Sequence, residues 1–195
     1  VIPLEHTLLY RVRTVQHAGV ILSFARLRRE EATAMARLHR AAWVLIVIAD
    51  AGLLAWGAMA ALLPEYLLGP GGLPILAAGY QGFTGRPWRE LVAAFPEAPG
   101  FMTALFRVYG AYIIAFSVLA IVITMTAFRR HEAWAWWSLL IGNTIALGSA
   151  MAYDWTVRTI GPFELTEYLG LAIIYLALIA TAPFSTARRS AHALT

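Results

Sequence analysis

The chain has no cysteine and no lysine, and charged side chains make up only 13% of its 195 residues. Without cysteine there is no disulfide, no thiol nucleophile and no thiolate-held metal or iron–sulfur cluster. Soluble domains carry about 25% charged residues and about 45–50% apolar ones. The scarcity of charge therefore excludes a soluble enzyme, a disordered tail and a secreted disulfide scaffold. What fills the space is apolar: 60% of the residues are hydrophobic, and the mean hydropathy is +0.67. That is the composition of one integral membrane domain.

The missing lysine makes arginine the whole basic complement, fifteen residues. This reads as a base-composition bias rather than a mechanism. A net charge of +4 and a pI near 9.8 would suit nucleic acid or anionic lipid. The placement of the arginines decides for lipid, and no nucleic-acid partner is expected.

Four apolar runs stand out: Ala41–Leu63 closed by Pro64, Val108–Phe128 before Arg129 and Arg130, Ala133–Tyr153 ended by Asp154, and Leu165–Phe184 before Arg188 and Arg189. Each approaches the roughly 20 residues that cross a hydrocarbon core. Period-two alternation is absent, so the runs read as helices. The sequence predicts an all-α, integral membrane four-helix bundle. A cytoplasmic arginine-rich arm (1–40) precedes it, a long external loop (64–107) follows the first span, and a short tail (185–195) ends it. With four spans, the arm, the 129–130 turn and the tail share one side and hold eleven arginines against four acids. The other side holds Arg86, Arg89, Arg107 and Arg158 against Glu65, Glu90, Glu97, Asp154, Glu164 and Glu167. Basic residues stay inside, so both termini are expected in the cytoplasm of a bacterial inner-membrane protein.

Tryptophan fits this frame. Trp43, Trp134, Trp136 and Trp137 fall at the cytoplasmic interface and Trp155 at the opposite one, where an indole keeps one polar edge at the headgroups. Interfacial anchoring is preferred over stacking on a pigment or quinone. In the arm, Ser23–Arg40 holds good helix formers without Pro or Gly, which predicts a helix. Arg11, Arg13, Arg26, Arg28 and Arg29 are candidate contacts for lipid headgroups or a partner protein. A cleavable signal peptide is not expected, because charge separates the short run Ala18–Ala25 from the first span.

In the external loop, Gly69, Pro70, Gly71, Gly72 and Pro74 mark turns, as does Gly82-Phe83-Thr84-Gly85. Pro87–Phe95 reads as a short helix, with Trp88, Leu91, Val92 and Phe95 recurring at i, i+3, i+4 and i+7. It would lie apolar face down over the span ends, as a packed interfacial loop in preference to a cap over a ligand cavity.

Asp50 is the one residue that demands an account. Nine residues into the first span, it lies at a depth of about 13–14 Å by helical rise. A carboxylate there costs about 2.5–3.5 kcal/mol on insertion scales, so it should face inward, find a partner or stay neutral. Asn143 lies about 15 Å deep in the third span, with Ser117 and Tyr175 near the same level. Asp50, Asn143, Ser117 and Tyr175 thus form a candidate midplane polar layer. It is either an interhelical hydrogen-bond clamp or a proton or ligand site, with the clamp preferred. No histidine lies inside a span, which argues against intramembrane histidine ligation of haem or chlorophyll. No metal-ligand spacing, phosphate loop or nucleophile elbow is present. Ala51, Ala55 and Ala58, and Gly142, Ala146 and Ala150, could let spans one and three approach closely.

The stretch Gly79–Leu140 contains GFTG, a following Trp, a Pro-Glu-Ala turn, Arg107 with Gly110-Ala111 opening the second span, and a basic turn followed by tryptophans. It resembles small four-span bacterial membrane proteins of the DoxX-like group, over about a third of the chain. The resemblance implies a four-helix bundle with a long first external loop and supplies no catalytic residue. The leading expectation is a non-catalytic accessory subunit packed against other membrane subunits and lipids. The alternatives are a small-lipophile (quinone or isoprenoid) binding protein or isomerase, and a proton-coupled transporter. No cofactor is required; a bound lipid, quinone or pigment stays open.

Overall fold

The computed structural model describes residues 4–67 and 75–182, with side chains from Arg26 onward, Pro162 and Phe163 excepted. The described residues are helical or in turns, with no strand among them. The helices are α1 (Leu4–Leu62), α2 (Ile75–Thr84), α3 (Trp88–Ala94), α4 (Ala98–Met125), α5 (Ala133–Val157) and α6 (Pro162–Ala180). Two compact units emerge, residues 1–40 and residues 41–195. In the first, Arg26, Arg28 and Arg29 are exposed, and Arg26 pairs with Glu30 one turn on at 3.1 Å. The side chains of Arg11 and Arg13, the glycine–proline turns at 69–74, and Phe184 with the tail arginines lie outside the described residues.

In the second unit, four helices feed one core. Ala42 and Ile46 come from α1, Ala120 from α4, Leu139 and Leu147 from α5, and Ile174 and Leu178 from α6. Around it the surface is apolar. Ile48, Leu119, Ile145, Leu176 and Ile179 are all more than half exposed. Two segments, Arg26–Leu62 and Ala98–Arg130, are long and apolar enough to cross a membrane.

The boundaries follow local chemistry. α1 stops before Pro64, which opens a 3₁₀ turn to Leu67. α4 begins ten residues earlier than the apolar run at Val108 suggests, because Pro99 suits a first helical turn and nothing up to Arg107 breaks a helix. Arg107 then reaches Glu65 at 2.7 Å, tying α4 to the turn after α1. Between α4 and α5, His131 takes the left-handed conformation at φ 62°, and the Glu132 amide donates to the Ala127 carbonyl at 3.1 Å. α5 ends on Arg158, also left-handed at φ 54°. α6 starts behind Gly161, whose amide donates to Glu164 Oε2 at 2.8 Å, satisfying a donor that the helix start leaves open.

One expected turn is a helix. Gly82, Phe83 and Thr84 close α2, and only Gly85, at φ 71°, turns the chain. The short helix expected at Pro87–Phe95 is present as α3. Trp88 meets Tyr80 of α2 edge-on at 5.7 Å, while Phe95 is 62% exposed. The alanine stripe expected to join spans one and three is largely outward-facing: Ala51 and Ala55 are exposed. The close approach is instead between α1 and α4, where Gly110 abuts the backbone of Gly57, Ala60 and Ala61.

Candidate functional site

The polar residues expected at mid-depth are shielded. Asp50, Ser117 and Asn143 are each fully buried. Both carboxylate oxygens of Asp50, Ser117 Oγ and Asn143 Oδ1 lack a hydrogen-bond partner. Asn143 Nδ2 donates within its own helix, to the Leu139 carbonyl at 3.0 Å. Tyr175 is partly buried, and its hydroxyl meets Thr144 Oγ1 at 2.7 Å. No hydrogen bond clamps one member of the layer to another, so the oxygens of Asp50, Ser117 Oγ and Asn143 Oδ1 remain open to a proton, a water or a ligand group.

The tryptophans divide by what they touch. Trp43 stacks under the Arg129 guanidinium at 4.8 Å, a cation–π contact. Trp134 donates to Glu132, and Trp155 is 71% exposed. Trp136 instead donates its indole N–H to the Leu178 carbonyl at 2.8 Å, which joins α5 to α6 inside the fold.

A chamber lies at the end of the fold where α5 turns into α6. Its cavity of about 330 Å³ is lined by Trp56 of α1, Ile75 and Leu76 of α2, Phe106 and Tyr109 of α4, Tyr153 and Asp154 of α5, and Glu164 and Glu167 of α6. α2 roofs this cavity, whereas α3 contributes no residue to its lining. The left-handed Arg158 and the Gly161 cap make the α5–α6 turn short, and that is what brings three acids from two helices to one space. Thr159 locks the roof on, donating to the Ala78 carbonyl at 3.2 Å. A second cavity of about 270 Å³ contains Asp50 and shares Trp56 and Glu167 with the first. A third, of about 380 Å³, adds Tyr112 and Phe116 and again shares Trp56 and Glu167.

The electrostatics of the chamber are one-sided. Among the described residues, no arginine or histidine lines any of these three cavities. Arg107 is engaged with Glu65. Arg158 shares a shallow surface depression with Asp154, yet no ion pair joins them among the described residues. Asp154 is 5% exposed, and its Oδ2 has no hydrogen-bond partner. Burial, with Glu164 adding its charge, pushes the Asp154 carboxyl up to about 6. Among the described residues, no three acids or histidines converge to hold one metal ion.

Asp154, Glu164 and Glu167 enter the sequence reading only as counted charges on the outer side. The signal that could have found them is spacing: Glu164 and Glu167 are three apart, on one face of a helix, and follow Asp154 across a turn. No family model, curated protein or solved structure matches the chain.

Proposed function

We propose that the chain is a four-span bacterial inner-membrane protein, both termini cytoplasmic, that binds a small lipophilic molecule in the chamber between its spans. The observation that carries this reading is the chamber itself, an apolar and aromatic space with a few acids along its walls, within the roughly 300–1,000 Å³ range of small-molecule sites. A subunit that only filled gaps would have no use for buried carboxylates without partners, each of which costs stability. The two most apolar segments also favour lipid around them: only 22% and 28% of their most apolar 18-residue stretches are buried, unlike the core helix of a soluble protein. α5 and α6 share their core and complete four spans.

The chamber would open toward the outer leaflet, because the α5–α6 turn lies on the arginine-poor side. The lipophile class agrees with the quinone-or-isoprenoid alternative drawn from the sequence, moved from the midplane toward the α5–α6 turn. The accessory-subunit reading draws on a different observation: residues 26–40 are a helix exposed along almost its whole length, a surface suited to a partner.

Native mass spectrometry of the chain, gently solubilised from its own membrane, separates the two. A 21.4 kDa chain with a bound small molecule, lost on Glu167→Leu, supports the chamber. A large stoichiometric assembly with no bound molecule overturns it in favour of the accessory subunit. Because the chain has no cysteine, single substitutions report topology without background. Glu97→Cys should label from outside and Arg130→Cys only after the membrane is opened.

A further inference from the structure

The ligand class can be narrowed, on the reading that the chamber binds a lipophile. The geometry points to a lipophilic organic cation: one positive charge on an aromatic or alkyl body, held by Asp154 and Glu167 between the rings of Trp56, Tyr109 and Tyr153.

Three independent features lead there. The first is unbalanced charge. Asp154 is almost fully buried, lines the cavity and leaves Oδ2 unpaired, while Glu164 and Glu167 line the same space and no described cationic side chain joins them there. A buried anion is costly unless it is paired. Asp50, fully buried with both oxygens unpaired, repeats the arrangement in the adjoining cavity. The missing counter-charge is what the site is built to receive.

The second feature is the spread of the acids. Among the described residues, no three acids or histidines converge on one point, so a small metal ion would find an incomplete shell there. Carboxylates spread along a chamber suit a charge that is large or delocalised. The third is the wall material. Trp56, Phe106, Tyr109 and Tyr153 surround the acids, and ring faces attract organic cations by their quadrupole, most strongly where water is excluded. A quinone or neutral isoprenoid would use the rings and leave the buried Asp154 without a counter-charge.

Cation and proton should compete, because both neutralise the same carboxylates. The groups that face the site are Asp154 and Tyr153 from α5, Glu164 and Glu167 from α6, Tyr109 from α4 and Asp50 from α1. Arg107 and Arg158 lie nearby, outside the lining. Among them Asp154, pushed up to about 6 chiefly by burial, gains its charge between pH 5 and pH 8.

The test is equilibrium binding of tetraphenylphosphonium to the purified full chain in a non-ionic detergent, with tetraphenylborate as an anion of the same shape. The expected result is binding of the cation alone, about tenfold tighter at pH 8 than at pH 5. Glu167→Gln and Asp154→Asn should each weaken it about tenfold or more. Glu167→Asp, which keeps the charge, should retain most of the affinity and so separates loss of charge from loss of fold. Glu90→Gln, the same charge change on exposed α3, should change nothing. Displacement by lysophosphatidylethanolamine would assign the natural cation to a lipid headgroup, and its failure to a free amphiphile. Equal binding of both ions would overturn the cation assignment and leave the lipophile chamber standing. No cation binding by the unsubstituted chain, or binding indifferent to both acid substitutions, would also overturn it, and the mass-spectrometric result would then decide the chamber by itself.

Discussion

Gly110 of α4 lies against the backbone of α1 at Ala61, with no room for a Cβ between them. The same contact involves the Gly57 carbonyl, and a Cβ on Gly57 would in turn press on Ile113 at 2.8 Å. Two helices are thus held at backbone distance by paired glycines, the packing that small residues permit within a membrane. It fixes where Trp56 and Tyr109 stand, since each neighbours one of the glycines in sequence.

Replacement of Gly110 by Ala should therefore destabilise the fold, by about 1–3 kcal/mol through overpacking against rigid backbone. Gly148 is the control. It lies within α5 with open space where its Cβ would be, so Gly148→Ala should be neutral or gain up to about 1 kcal/mol from helix propensity. Thermal unfolding in detergent measures both, and equal effects at the two positions would refute the close contact.

Trp136 makes a second checkable joint. Its indole N–H donates to the Leu178 carbonyl, and its ring meets Trp137 edge-on with centroids 4.8 Å apart. Trp136→Phe keeps a ring and loses the donor, so it should cost about 0.5–1.5 kcal/mol. Trp136→Ala should cost about 3–5 kcal/mol. Trp134→Phe should cost less than either, because its donor serves an exposed, local pair with Glu132. If the two Phe variants proved equally tolerated, the Trp136 hydrogen bond would not be a joint between α5 and α6.

Much of this was legible in the chain, and the failures have physical causes. The apolar runs and the break at Pro64 are local signals and mark α1, α4, α5 and α6. α2 escaped because Gly82 reads as a turn residue, although Gly79 and Gly82 both lie inside the helix. Their reason is tertiary: a Cβ on Gly79 would meet the Tyr153 hydroxyl at 2.9 Å, and one on Gly82 would strike the Val157 carbonyl and Thr159. Asp50 was found by its depth alone, because a lone acid in an apolar run is conspicuous. Asp154, Glu164 and Glu167 were not, because acids at the end of a span look like solvated loop charge until a short turn folds them inward.

Asp154 gives the pH dependence a sign. Its carboxyl is raised to about 6 from an ordinary value of 3.8, so the folded state holds the proton more tightly than the unfolded one. Stability contributed by this group is therefore present at low pH and lost as pH rises from about 4 through 6. Asp154→Asn should raise the melting temperature at pH 8 and flatten the slope between pH 4 and pH 6. A thermal-shift series in one detergent across that range checks it. A variant less stable than the parent at pH 8 would mean that the ionised carboxylate has a stabilising partner.

Asp50 decides between a structural clamp and a site. A clamp stabilises, so removing it should cost about 0.6–2 kcal/mol per lost contact. A carboxylate held for a ligand costs stability until that ligand arrives, because a buried polar group without a partner forfeits its hydration. Asp50 is fully buried, neither oxygen is hydrogen-bonded, and a cavity of about 270 Å³ lies beside it. There is room for a larger apolar side chain. Asp50→Leu should therefore stabilise the ligand-free protein, by about 1–3 kcal/mol. Asp50→Ala should stabilise it less, since it removes the polar group and fills nothing. Unfolding of the delipidated protein measures the order Leu above Ala above Asp. The reverse order would restore the clamp, and with it a purely structural account of the midplane layer.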